Sequence, residues 1–262
     1  MIRPIWFVAW AGVIGVIATS FLFIARDETR PKEVVEVKLP LPEEQKGEFP
    51  ERETLVESVP QEELMMASYL IPGVPFMVQA PGAKWGDPVF QDACEEASLL
   101  MASAWVTGTT LTKEEATQKI TELATFQKKK FGHSVDTSIE DTSILLEEYL
   151  GIKSGEVQTG ITIDDIKDAL ASKRVVIIPT DGRLLKNPNF TPPGPSRHML
   201  VIVGYDALTK EFIVNDPGTR KGEGYRYDEE VLYDAILDYP TGKHELVVSD
   251  DKVMLSVSRS SL

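Results

Sequence analysis

The sequence predicts an α+β fold in which helices come first and pack on an antiparallel sheet. Three observations carry that prediction. Segments with helical period and recognisable caps occupy about 93 to 172, strand-like runs rich in Val and Ile follow from 175, and two of those runs flank a short turn. The chain has 262 residues, 42% of them hydrophobic, which is enough to bury a sizeable core in one or two domains.

In order, a loop rich in Pro and Gly covers Ile71 to Pro88, and a helix runs from about Ala93 to Val106. Thr112, followed three residues later by Glu115, makes a capping box for a second helix reaching about Lys129. A third spans about Ser138 to Leu150 and is stopped by Gly151; a fourth, opened by Thr162 as N-cap, spans about Ile163 to Ser172. Strands follow at Val175 to Thr180, His198 to Asp206 and Glu211 to Asp216, the last two joined as a hairpin by Ala207 to Lys210. HMLVIVGY is apolar on both faces, which predicts a central strand covered on both sides. A helix from about Asp228 to Leu237 closes the core.

Ahead of this domain the chain reads differently. Pro4 to Ala25 carries no charge, and its 22 residues at about 1.5 Å each give roughly 33 Å, enough to cross a hydrocarbon layer of about 30 Å. Residues 1–26 therefore read as an N-terminal transmembrane anchor, with Trp6 and Trp10 near one interface; a cleaved signal peptide is the alternative. Residues 27–66, acidic and punctuated by Pro31, Pro40, Pro42, Pro50 and Pro60, read as a disordered stalk. The domain is then 67–262, expected on the extracytoplasmic side as part of a single-pass membrane protein, although the cations flanking the span count the other way.

The formal net charge of −14 and the absence of a basic stripe disfavour a nucleic-acid partner. No CxxC or HxxxH spacing groups the three or four ligands that zinc needs, so neither a metal nor a cofactor is expected.

Cys94 is the single cysteine, so no intramolecular disulfide can form, and it stands where a helix begins. Free N–H groups and the positive end of the helix dipole favour a thiolate there; the plain alternative is a small buried hydrophobe. His198 opens one strand of the hairpin and Asp216 closes the other, and strand parity puts both on one face at one sheet edge. Asp216 can fix the imidazole tautomer while the other ring nitrogen takes the proton of Cys94. His133 and His244 lie in polar, turn-like segments and read as surface residues. Glu95 and Glu96 read as ordinary helix-start residues pointing to solvent; the alternative is that they raise the pKa of the neighbouring thiol. Asp181 to Arg197, between two strands and just ahead of His198, is placed to overhang the cleft as a lid facing substrate.

The runs VPFMVQAPGAKWGDPVFQDACEEASLLMASAW, HMLVIVGYD and VNDPGT together resemble the C39-like peptidases, a branch of the papain-like cysteine peptidases, over about Ile71 to Tyr239. The resemblance implies a papain-like fold, with Cys94 as nucleophile, His198 as general base and acid, and Asp216 as orienting carboxylate. It also implies that Gln79 lends its amide to an oxyanion hole, with Gln91 as competitor because the spacing from Gln79 to Cys94 is long. The expected function is hydrolysis of peptide bonds through a thioester, with a peptide or protein as substrate. The alternatives are an acyl or peptidyl transferase, and an inactive, tethered peptide- or protein-binding module. Where the family often has Gly after the cysteine, this chain has Glu95.

Overall fold

The computed structural model describes residues 67–242 and 251–259. The expected membrane span, the stalk and His244 lie outside the described residues. Among the described residues no helix is long and apolar enough to cross a membrane.

The helices form where caps and period place them. Helix α1 is one turn, Pro88–Gln91, started by Asp87, whose side chain accepts from the Val89 N–H. It begins at the last residue of the expected loop and fills the stretch between that loop and the expected helix. Helix α2, Cys94–Thr107, ends at Gly108 in the left-handed conformation. Helix α3, Lys113–Phe131, has the capping box of Thr112 and Glu115. Helix α4, Ile139–Glu148, is capped by Ser138; α5, Ile163–Ala171, by Thr162 with Asp165; and α6, Glu229–Ala235, by Asp228.

The described strands are β1 (Tyr69–Leu70), β2 (Gly155–Thr159), β3 (Arg174–Thr180), β4 (His198–Asp206), β5 (Glu211–Asn215), β6 (Tyr225–Asp228) and β7 (Val253–Ser258). They form one antiparallel sheet in the order β2-β7-β3-β4-β5-β6, with β1 paired to β4. The fold is α+β, as the sequence predicts. Four strands were not anticipated: β1, β2, β6 and β7. The pairing explains the most important of them, since β7 comes from the end of the chain yet lies between β2 and β3.

Val175–Thr180 of β3 and His198–Tyr205 of β4 are buried without interruption, so both faces of the sheet centre are covered. Helix α2 lies against β4, and α5 against β3 and β4. Nearly every residue of α2 is buried. A helix apolar around its whole circumference belongs in the middle of a domain, and this placement brings Cys94, at its first turn, to the beginning of β4.

Candidate active site

The start of α2 and the adjoining ends of β4 and β5 meet at a cleft of about 800 Å³ whose lining includes Gln79, Gln91, Cys94 and His198. Asn189–Pro195 and Arg197 also line it, so the segment expected to overhang the cleft is one of its walls. A larger groove of about 1040 Å³ runs along α3, but its lining contains no cysteine or histidine.

The sheet side of the cleft is a hydrogen-bonded pair. His198 Nε2 lies 2.7 Å from Asp216 Oδ1, with 2% and 0% of the two residues exposed. Asp216 is the residue just after β5. The register pairs Val201 with Asn215, so the continued ladder would set Gly218 opposite His198 and Asp216 diagonal to it. Gly218 has a steric reason to be glycine: a Cβ there would come within 2.8 Å of His198 Cε1. Gly222 is held more tightly still, because a Cβ would collide with the Asp216 carbonyl oxygen, which accepts no side chain at that distance. Phe190 meets the imidazole edge-on, with ring centroids 5.3 Å apart.

Asp216 collects further donors. The Gly218 N–H donates to Oδ1 at 2.9 Å and the Tyr227 hydroxyl to Oδ2 at 2.8 Å, while Asn187 Nδ2 donates to the Tyr227 oxygen at 2.7 Å. Burial pushes the pKa of Asp216 up, but the His198 charge and these hydrogen bonds outweigh it and hold the carboxyl below its usual value. The Tyr227 hydroxyl is pushed well up, first by burial and then by the Asp216 charge, and stays a donor. With Nε2 committed to Asp216, Nδ1 is the ring nitrogen open to the thiol.

The helix side is built differently. Glu95 and Glu96 do not point to solvent as the sequence suggested; each is 1% exposed. The correction has a plain cause. SLLMASAW is apolar on all sides, so no face of α2 is left for the acids at its start. Cys94 Sγ–H donates to Glu95 Oε2 at 3.1 Å, and Glu95 Oε1 accepts from the Tyr239 hydroxyl at 2.8 Å and from the Thr137 N–H at 3.4 Å. Burial, then the Glu95 charge and this hydrogen bond, push the Cys94 thiol well above its usual value, against a lowering contact from the Met199 backbone. Burial also pushes up Glu95, and more strongly Glu96, whose Oε2 has no partner. No side chain caps α2.

Gln79 is at the cleft and 7% exposed, but its Nε2 donates to the carbonyls of Phe90 at 3.0 Å and Gln91 at 2.7 Å. Both amide protons are thus engaged, tying the inserted stretch 80–91 back onto Gln79. Gln91 lines the same cleft. His133 is exposed and is not among the residues lining the cleft. Among the described residues no group of three or more His, Cys, Asp or Glu side chains could hold a metal ion.

Cys94, His198, Asp216 and Gln79 thus come together. Asn187, Tyr227, Phe190 and Tyr239 were not singled out from the sequence, and only the buried α2 held a usable signal, for the two glutamates. The Peptidase_C39 like family model matches residues 71–239, and the chain belongs to that family. A crystal structure titled as a candidate C39-like peptidase from Bacillus anthracis aligns at 19% identity and a TM-score of 0.44, covering 74% of this chain and 98% of that one. No curated protein matches.

Proposed function

We propose that this chain is a cysteine peptidase that cleaves peptide bonds through a thioester on Cys94. The observation that carries the reading is the His198–Asp216 pair at 2.7 Å on the wall of a cleft that Cys94 also lines. Sγ attacks the scissile carbonyl as Nδ1 of His198 takes the thiol proton, and Asp216, bonded to Nε2, stabilises the imidazolium. The Cys94 N–H at the uncapped start of α2 supplies one oxyanion donor, and the Gln79 amide supplies the second when it turns from the Phe90 and Gln91 carbonyls. Collapse expels the amine with the proton from His198, and water, deprotonated by the same ring, hydrolyses the thioester. The proposal includes a single-pass anchor at Pro4 to Ala25 holding the domain outside the cytoplasm.

A second reading has its own observation. The thiol is bonded to Glu95 and the Gln79 amide is occupied, as would suit a domain that binds peptides without cutting them. A panel of peptidyl vinyl sulfones separates the two, since these electrophiles need both an attacking sulfur and a proton donor. The peptidase reading expects Cys94 adducts in the wild type, detected by intact mass, and labelling at least about tenfold slower in His198→Ala. Equal labelling of the two proteins would leave the binding module.

A further inference from the structure

The cysteine has two buried proton acceptors within the same site, and only one of them belongs to the proposed triad. On the sheet side stands Nδ1 of His198. On the helix side stands Oε2 of Glu95, which already accepts the thiol proton at 3.1 Å. Glu95 is not placed there loosely. Tyr239, from the segment after α6, and the Thr137 N–H, from the loop between α3 and α4, both donate to its other oxygen, so the carboxylate is held from two elements outside α2. Such anchoring fixes Oε2 where the sulfur meets it.

We propose that Glu95 is a positioning residue that keeps Cys94 protonated at rest and releases it only when a bound substrate draws the sulfur toward His198. This rests on the reading of Cys94 as nucleophile. The proton balance is simple. At rest the S–H bond is intact and donates to ionised Glu95; on turning, sulfur exchanges that acceptor for Nδ1 and passes its proton there, giving thiolate and imidazolium. Glu95 stays a carboxylate throughout, and no other reactant is needed.

The charged surroundings act in the same sense. Glu96, next in α2, adds to the push on the thiol, and Asp92 just ahead of the helix acts in turn on Glu96. Asp136, beside Thr137, is paired with Arg197 at 3.5 Å, and Asp216 is paired with His198. Because negative charge dominates the helix side, a thiolate formed without substrate is disfavoured there. A thiol at rest also resists oxidation and stray electrophiles, since both act on the thiolate.

The test is the pH dependence of iodoacetamide alkylation of Cys94 in the full chain, with thiolate absorbance near 240 nm as a second readout. The proposal expects the wild-type midpoint above the ordinary cysteine value of about 8.5. Glu95→Gln, which keeps shape and the Tyr239 contact, should move the midpoint down and speed alkylation at pH 7 by about tenfold per unit moved. Glu96→Gln, which touches neither sulfur nor Tyr239, should move it much less. Equal shifts in the two variants would mean general charge rather than the contact, and would overturn the proposal. So would a wild-type midpoint below 8.5, a measurement that stands even if Glu95→Gln folds poorly. None of these readings needs turnover. A high midpoint lowered by Glu95→Gln in a protein that no vinyl sulfone labels would sink the peptidase reading while leaving the thiol–Glu95 contact intact.

Discussion

Asp216 and Glu95 are both buried carboxyls beside the same cleft, on opposite sides of it, and they are treated in opposite ways. On the sheet side, donors from His198, the Gly218 N–H and Tyr227 converge on Asp216, and together with the imidazole charge they overcome the cost of burial. On the helix side, Glu95 has a phenol, a thiol and a distant N–H, Glu96 has an oxygen with no partner, and burial prevails. Burial alone therefore does not set the direction in which a carboxyl's pKa moves. The number and charge of the donors decide it. One wall is organised to hold charge during a reaction, the other to keep it off the sulfur.

Breaking the sheet side should cost most. Asp216→Asn removes the orienting charge and lets the imidazole take the wrong tautomer, so vinyl sulfone labelling of Cys94 should fall roughly 10³–10⁴-fold. Thermal melts across pH carry the same information. Because Asp216 titrates lower in the folded than in the unfolded chain, its stabilisation is present above about pH 4 and fades as pH falls further, and Asp216→Asn should lack that acid-side loss.

Gln79→Ala comes next. An oxyanion donor of this kind is worth roughly 10²–10³ in kcat. The two hydrogen bonds to Phe90 and Gln91 also disappear, so a melt should show a loss of about 1–3 kcal/mol. A variant that loses stability and keeps full kcat would assign Gln79 to the architecture of 80–91 and turn attention to Gln91.

Tyr227→Phe sharpens the comparison by taking one donor from Asp216; it also removes the oxygen to which Asn187 Nδ2 donates, and it changes no residue lining the cleft. Its expected effect is about tenfold in kcat/KM, in keeping with one hydrogen bond to a charged group, with the acid limb of the rate profile moved to higher pH.

The smallest effect belongs to the helix side and has the opposite sign. Glu96 titrates higher folded than unfolded, so it stabilises the fold below about pH 4 and that contribution is lost as pH rises. Glu96→Gln should therefore melt a few degrees higher than the wild type at pH 7, at about 2–4 °C per kcal/mol, with the gain shrinking toward pH 4. An unchanged melting point at pH 7 would mean that burial does not raise the Glu96 pKa.

Much of this arrangement was legible beforehand, and the limits have physical causes. The caps of α3 and α5 and the strand β4 declare themselves locally, through Thr112 with Glu115, Thr162 with Asp165 and an unbroken apolar run. Strand parity pointed to the His198–Asp216 pair, but the hairpin starts with Asp206 opposite Glu211, a register that alone would turn Asp216 to the other face; the bulge between Ile202 and Gly204 brings the two together. Strand β2, whose residues are mostly exposed or half-buried, has no such signature, and β7 acquires its neighbours only when the chain end returns between β2 and β3. Asn187 and Tyr227 lie 40 residues apart, so their meeting under Asp216 belongs to tertiary structure. Glu95 and Glu96 were misread because acids in a first helical turn are ordinarily solvated, a habit overruled by the all-round burial of α2.

The most direct measurement is a search for the thioester itself. The full chain is mixed with a library of peptide amides, quenched in acid within milliseconds to seconds, and digested for mass spectrometry of the Cys94 peptide. The account predicts a peptidyl group on Cys94 of the wild type and none on His198→Ala. Peptides cleaved with Cys94 unmodified, or wild type and variant acylated alike, would contradict it.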